Sequence, residues 1–273
     1  MSLVNGEITP ATEASQVGPA SAANRWASHL LRTPLIAAST AAFGAASLAV
    51  SRWDSSGRRQ HTIASRWARA LLRISGSPVT LLHGERLSRF PAAVYAANHL
   101  SYMDTPVIFG KLPFQFRILA RHDLFRIPFM GWHLRRSGQI PVDSSSLRSQ
   151  VASLNLGVAA LKAGMPLVVF PEGGRSEDGL PHSFMSGPAW MAIRANVPIV
   201  PLTLVGTHEL LPMHVYHLRP RPLLLIVGEP IPTQGLTSKD ADALTERVHD
   251  AIALTYFEFF DGISQSSELT VQS

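Results

Sequence analysis

The sequence predicts an α/β domain, a mostly buried mixed sheet of about seven strands flanked by helices, preceded by an N-terminal pair of helices suited to a membrane. Three observations lead there. From about residue 77 onward, short β-rich runs (PVTLL, AAVYAA, FQFRIL, GQIPV, PLVVF, PIVPLTLV and PLLLIV) are separated by windows of helical spacing. Before them stand an uncharged stretch and a helix with an arginine face. The length, 273 residues, suffices for one sizeable core with an appended segment, and neither an internal repeat nor a second domain boundary is visible.

Taken in order, residues 1–24 are rich in Ala, Ser, Gly, Pro and Thr without an apolar period, and read as a disordered tail; Glu7 and Glu13 argue against the basic start of a signal peptide. Residues 25–75 read as a membrane-associating segment. Within it PLIAASTAAFGAASLAV, between Arg32 and Arg52, falls slightly short of the roughly 20 residues that span a bilayer, so spanning, half-insertion and burial as a core helix all stay open. The next window places Ile63, Trp67, Leu71 and Ile74 on one helical face and Arg66, Arg69 and Arg73 on another. A polar face of one sign suits anionic headgroups. Residues 76–260 read as the catalytic α/β domain, with a clear helix carrying Leu147, Val151, Leu154, Val158 and Leu161, and another opened by the capping box of Thr237 and Asp240. Residues 261–273 read as a flexible tail.

Composition narrows the chemistry. The chain has no cysteine, which excludes a thiol nucleophile, zinc-thiolate site or disulfide framework. The net charge of +5 is concentrated at the front, where Arg25–Arg73 holds eight arginines against Asp54, while residues from 235 onward are acidic; a nucleic-acid surface is not indicated.

The informative segment is AANHLSYMDTPVI, a strand end, a turn and the start of an apolar helix. If Ser101 caps that helix, His99 precedes it and Asp104 falls in its first turn, so the two side chains can meet. A carboxylate on one imidazole nitrogen fixes the tautomer and prepares the other nitrogen to take a proton from an alcohol. Ser101 and Asp104 also match a plain capping box that needs no catalysis. The second segment, PLVVFPEGGRSEDG, is a buried strand followed by a turn with Glu172, Gly173, Gly174 and Arg175. Glycines let backbone approach a ligand, and an arginine fork grips a phosphate, although an ordinary strand-exit turn would look similar.

NHLSYMD, followed about seventy residues later by FPEGGRS, then VPIVPLTLVG and VGEPI, resembles the glycerolipid acyltransferase family of the 1-acylglycerol-3-phosphate acyltransferase type, over Leu81–Ile231. The resemblance implies His99 as general base, Asp104 as its orienter, and Glu172, Gly173 and Arg175 as acceptor-binding residues. It implies direct acyl transfer from acyl-CoA or acyl-carrier protein, as co-substrate rather than resident cofactor, to a lysophospholipid such as 1-acyl-sn-glycerol-3-phosphate, without metal. The partners implied are the acceptor, the thioester donor, a membrane surface and an acyl-carrier protein, with a location on the cytoplasmic face of the inner or plasma membrane. No acyl-enzyme is needed, in keeping with the absence of cysteine and of a G-x-S-x-G elbow. Other lysolipid acceptors, such as a lyso-ornithine lipid, and a lipid or thioester hydrolase are the alternatives.

Two charges of the family pattern are missing, an arginine where Ser144 stands and a lysine where Phe184-Met185 stands; Arg148, Lys162 and Arg194 are candidate substitutes. His208, Glu209, His214 and His217 cluster in sequence but lack the H-E-x-x-H arrangement, and a polar loop at the active-site rim is expected there rather than a metal site.

Overall fold

The computed structural model describes residues 21–143 and 145–271, with backbone alone for Ser88 and residues 261–271. The expected disordered tail up to residue 20, Ser144 and the last two residues lie outside the described residues.

Seven strands form one mixed sheet in the order β1-β7-β6-β2-β5-β3-β4. They are β1 (Val79–Leu82), β2 (Val94–Ala97), β3 (Arg117–Arg121), β4 (Ile140–Val142), β5 (Leu167–Val169), β6 (Ile199–Val205) and β7 (Leu223–Val227). Strands β6, β2, β5, β3 and β4 are parallel to one another, while β7 is antiparallel to β6 and carries β1 beside it. The period of two along β2 builds two cores: Tyr95 and Ala97 face one side, Val94 and Ala96 the other. The first core is closed by α3 (Arg58–Ser75) and α4 (Asp104–Lys111) through Ala68, Leu72, Val107, Ile108 and Phe109. The second is closed by α6 (Leu147–Lys162), α7 (Gly187–Ala195) and α9 (Ala241–Val271) through Leu161, Met191, Leu244 and Ile252. Each large aliphatic side chain so buried contributes about 1.5–3 kcal/mol against the entropy of ordering it.

The expected capping box forms, with Thr237 and Asp240 bonded reciprocally at the 3-10 turn that leads into α9. The helix α9 continues as backbone to Val271, through most of the stretch read as a tail. The run FQFRIL pairs as a strand only from Arg117, because Phe116 turns into the first core against Phe109 and His61.

The N-terminal pair is one helix packed outside another. Helices α1 (Ala22–Ala27) and α2 (Thr33–Val50) join through a π-helical stretch, Ser28–Arg32, into a 29-residue helix with only 6% of its most apolar window buried. A core helix would be mostly covered, so that option falls; by length and composition the helix is able to cross a membrane. Helix α3 does not lie free with it. Its apolar face enters the first core at Ala68 and Leu72, with Leu71 also buried, and its Trp67 indole donates to Thr40 of α2 at 3.0 Å. Arg66, Arg69 and Arg73 remain exposed.

Candidate active site

Strand β2 ends at Ala97, and the buried Asn98 continues its pairing with a side chain. Its Nδ2 donates to the Leu204 carbonyl at 2.9 Å and its Oδ1 accepts from the Leu204 amide at 2.8 Å, clipping the following turn to β6. The next residue, His99, is held from four directions. Its carbonyl accepts from the Ser176 amide at 2.8 Å, and its amide donates to Glu172 Oε1 at 3.2 Å. Its ring stacks on Phe170 with centroids 4.0 Å apart, and its Nδ1 lies 2.8 Å from Asp104 Oδ2. Three of these partners come from the stretch after β5, the strand beside β2, so the site sits at the carboxyl ends of adjacent parallel strands, where open α/β sheets bind ligands.

Asp104 is the first residue of α4 and is fully buried. The same Oδ2 that meets His99 accepts from the amides of Leu100 at 2.7 Å and Ser101 at 2.8 Å. One carboxylate oxygen therefore fixes both the turn ahead of α4 and the histidine, while α4 itself has no side-chain cap hydrogen bond. Ser101 does not cap α4 itself: its hydroxyl accepts from Met103 and donates to the Leu211 carbonyl. A carboxylate that already accepts two amide protons receives the third from Nδ1–H, which assigns the lone pair to Nε2. That nitrogen is the one free to take a proton.

Glu172 is half-buried, with Oε2 enclosed and without a hydrogen-bond partner. Burial pushes its carboxyl up to about 8; the His99 amide opposes the shift and the Asp104 charge adds to it. At neutral pH the group is therefore a carboxylic acid able to donate. Gly173 has φ +74°, where a Cβ would also come within 2.5 Å of the Met185 methyl. The Arg175 guanidinium lies over the Tyr102 ring, 3.9 Å from its centroid, and forms no ion pair among the described residues. Tyr102 carries this arginine onto the turn that bears His99; lying between motif residues, it gave no signal in the sequence. The turn beyond is fixed by Ser176, Asp178 and Gly179, with the Tyr256 hydroxyl of α9 donating to the Gly179 carbonyl at 2.8 Å.

The histidine-rich segment forms the expected polar loop only in its second half, after residue 210. Residues 207–210 make the short helix α8 (Thr207–Leu210), all four buried, with the His208 ring against Gly179. His214 is exposed near Glu177, His217 bonds Arg219, and among the described residues no three potential metal ligands lie together. Of the candidate substitute charges, Lys162 and Arg194 end α6 and α7 just before β5 and β6 begin, at the edge of the sheet opposite His99. Arg148, at the start of α6 after β4, is on the catalytic edge.

Residues 80–205, which hold the dyad and the glutamate-glycine-arginine turn, match the acyltransferase family. This stretch is an acyltransferase-family domain. The chain is 36% identical over 158 residues to a chloroplast 1-acyl-sn-glycerol-3-phosphate acyltransferase of Arabidopsis thaliana, covering 56% of this chain and 42% of that protein. It is 33% identical over 199 residues to a protein of the same description from Chlamydomonas reinhardtii, covering 71% and 57%. The chain thus spans about half the length of these curated relatives. Among solved structures it resembles the 1-acyl-sn-glycerophosphate acyltransferase PlsC of Thermotoga maritima, with a TM-score of 0.72 and 25% identity over 86% of this chain and 97% of that one. The acyltransferase fold, rather than the motifs alone, is therefore shared.

Proposed function

We propose that the protein moves a fatty acyl group from a thioester of coenzyme A or acyl-carrier protein to the free hydroxyl of 1-acyl-sn-glycerol-3-phosphate, giving phosphatidic acid, at the cytoplasmic face of a membrane. The observation that carries this reading is the His99–Asp104 pair, oriented so that Nε2 remains available, with Arg175 stacked on Tyr102 of the same turn and in no ion pair among the described residues. The names of the relatives support the same acceptor.

In the proposed reaction the acceptor hydroxyl gives its proton to His99 Nε2 while its oxygen bonds to the thioester carbonyl carbon. The tetrahedral intermediate then expels the thiolate as the carbon–sulfur bond breaks, and the imidazolium returns the proton to sulfur. Asp104 stabilises the transient positive ring and keeps it from rotating. Arg175 holds the acceptor phosphate with its fork, and the protonated Glu172 donates to an acceptor oxygen. The exposed apolar helix beside the domain supports delivery of both amphiphiles from a bilayer.

The test is product analysis with purified protein, several lysolipids and one labelled acyl chain offered on each of the two donors. Label in phosphatidic acid supports the proposal; label in free fatty acid despite abundant acceptor makes the protein a hydrolase. Label only in another diacyl lipid would keep the chemistry and replace the acceptor, the outcome for which the missing charges at Ser144 and Met185 prepare.

A further inference from the structure

We infer that residues 127–132, between β3 and β4, form a second bilayer contact, built into the catalytic domain beside the apolar N-terminal helix. The inference rests on the membrane reading above and extends it to a segment with no role in the catalytic site. Within six residues, four large apolar side chains stand exposed: Ile127 at 45%, Phe129 at 66%, Met130 at 48% and Trp132 at 46%. Scattered apolar residues are ordinary on a soluble surface, but a contiguous aromatic group marks something that covers it.

The backbone holds this group outward. Phe129 has φ 62° and ψ −55°, which a bulky side chain avoids, and among the described residues its one ring contact is Trp132, itself exposed, edge-on at 5.1 Å. The Met130 amide closes this turn on the Pro128 carbonyl at 2.7 Å, yet the Phe129 side chain itself stays in the open. The segment is nevertheless fixed, because Gly131 lies against the Phe125 backbone without space for a Cβ and the Arg135 guanidinium bonds the Phe125 carbonyl.

Two observations select a lipid surface as the occupant. First, α5 (Met130–Arg136) docks on the end of α2: Ser47 Oγ and His133 Nδ1 are 2.8 Å apart, and Arg136 donates to Ser51 Oγ at 3.1 Å. The patch therefore lies beside the C-terminal end of the apolar helix, just beyond which Trp53 stands exposed, while Trp26, Leu30, Leu31 and Leu35 are exposed toward its other end. Second, residues 124–142 contain Arg126, Arg135 and Arg136 and no acid. An apolar aromatic tip in a cationic collar matches the interface of an anionic bilayer, where tryptophan partitions by preference.

The experiment uses the full chain with vesicles of phosphatidylcholine and phosphatidylglycerol, with and without bromine on the acyl chains. The triple variant F129S/M130S/W132S is expected to partition into vesicles roughly tenfold more weakly, about 1.4 kcal/mol, while its melting temperature and its turnover of a short-chain lysolipid below micelle concentration stay as in wild type. Brominated lipid is expected to quench wild-type fluorescence more than that of Trp132→Phe. Equal sedimentation of the triple variant, or equal quenching of the two proteins, overturns the inference and leaves the N-terminal anchor standing. Failure of wild type to sediment removes the membrane reading altogether. If the triple variant splits a wild-type oligomer but binds vesicles normally, the patch joins two copies of this chain, which also overturns it.

Discussion

At the residue scale the site combines one fixed histidine with a carboxylate that serves two purposes. His99→Ala should lower acyl transfer by about two to four decades, and, because the ring is only 15% exposed, stacks on Phe170 and bonds the buried Asp104, it should also lower the melting temperature. A purified, folded variant with near-normal turnover would refute the base assignment. Asp104→Asn keeps an oxygen for the Leu100 and Ser101 amides but loses the charge that steadies the ring, so turnover should fall far more than stability does. Rate and melting temperature measured together decide this. Arg175→Lys retains charge without the fork and should raise the acceptor's apparent Michaelis constant more than the donor's. For Glu172 the folded chain holds an extra proton between the ordinary carboxyl value of 4.5 and about 8, so its contribution to stability falls as pH rises through that window. Glu172→Gln should flatten that slope in thermal melts and raise the melting temperature most at the alkaline end. A slope unchanged by the substitution would mean the carboxyl is ionised throughout.

At the element scale, the strand end of β2 is where fold and chemistry meet. Asn98 stands in for a strand residue against Leu204, and His99 inherits its position from that clip. Asn98→Ala would leave a buried amide and a buried carbonyl of Leu204 without partners, a cost of about 1–3 kcal/mol each, and should lower turnover together with stability. Denaturant melts and single-turnover rates on the same preparation check it; loss of stability with an unaltered rate would show that the turn keeps its shape without the clip. Local pattern revealed the His99–Asp104 pairing because both residues lie within one turn. It could not reveal Asn98 bonding to Leu204, Tyr102 under Arg175 or Tyr256 on Gly179, since each of those contacts depends on chain segments that meet only when the sheet closes.

At the scale of the molecule, the apolar helix α1–α2 is peripheral and α3 is structural. Removing residues 1–50 should leave a folded domain with weakened vesicle binding, whereas removing residues 1–75 takes Ala68 and Leu72 from the first core and should abolish folding. Circular dichroism and sedimentation with vesicles separate the two truncations, and equal sedimentation of the shorter deletion and the full chain would place the anchor within the catalytic domain. The sequence by itself determined the α/β class and the meeting of His99 with Asp104, and its two motifs marked Glu172, Gly173 and Arg175 as candidates, because periodicity and turn chemistry are local and the two motifs are specific as an ordered pair. Only the tertiary structure decided that α3 belongs to the core, that Lys162 and Arg194 lie at the wrong edge of the sheet, and that the THEL segment is buried behind the site. Those outcomes depend on which face of an amphipathic helix finds a partner and on the direction in which each strand enters the sheet, and both are set by contacts between residues far apart in the chain.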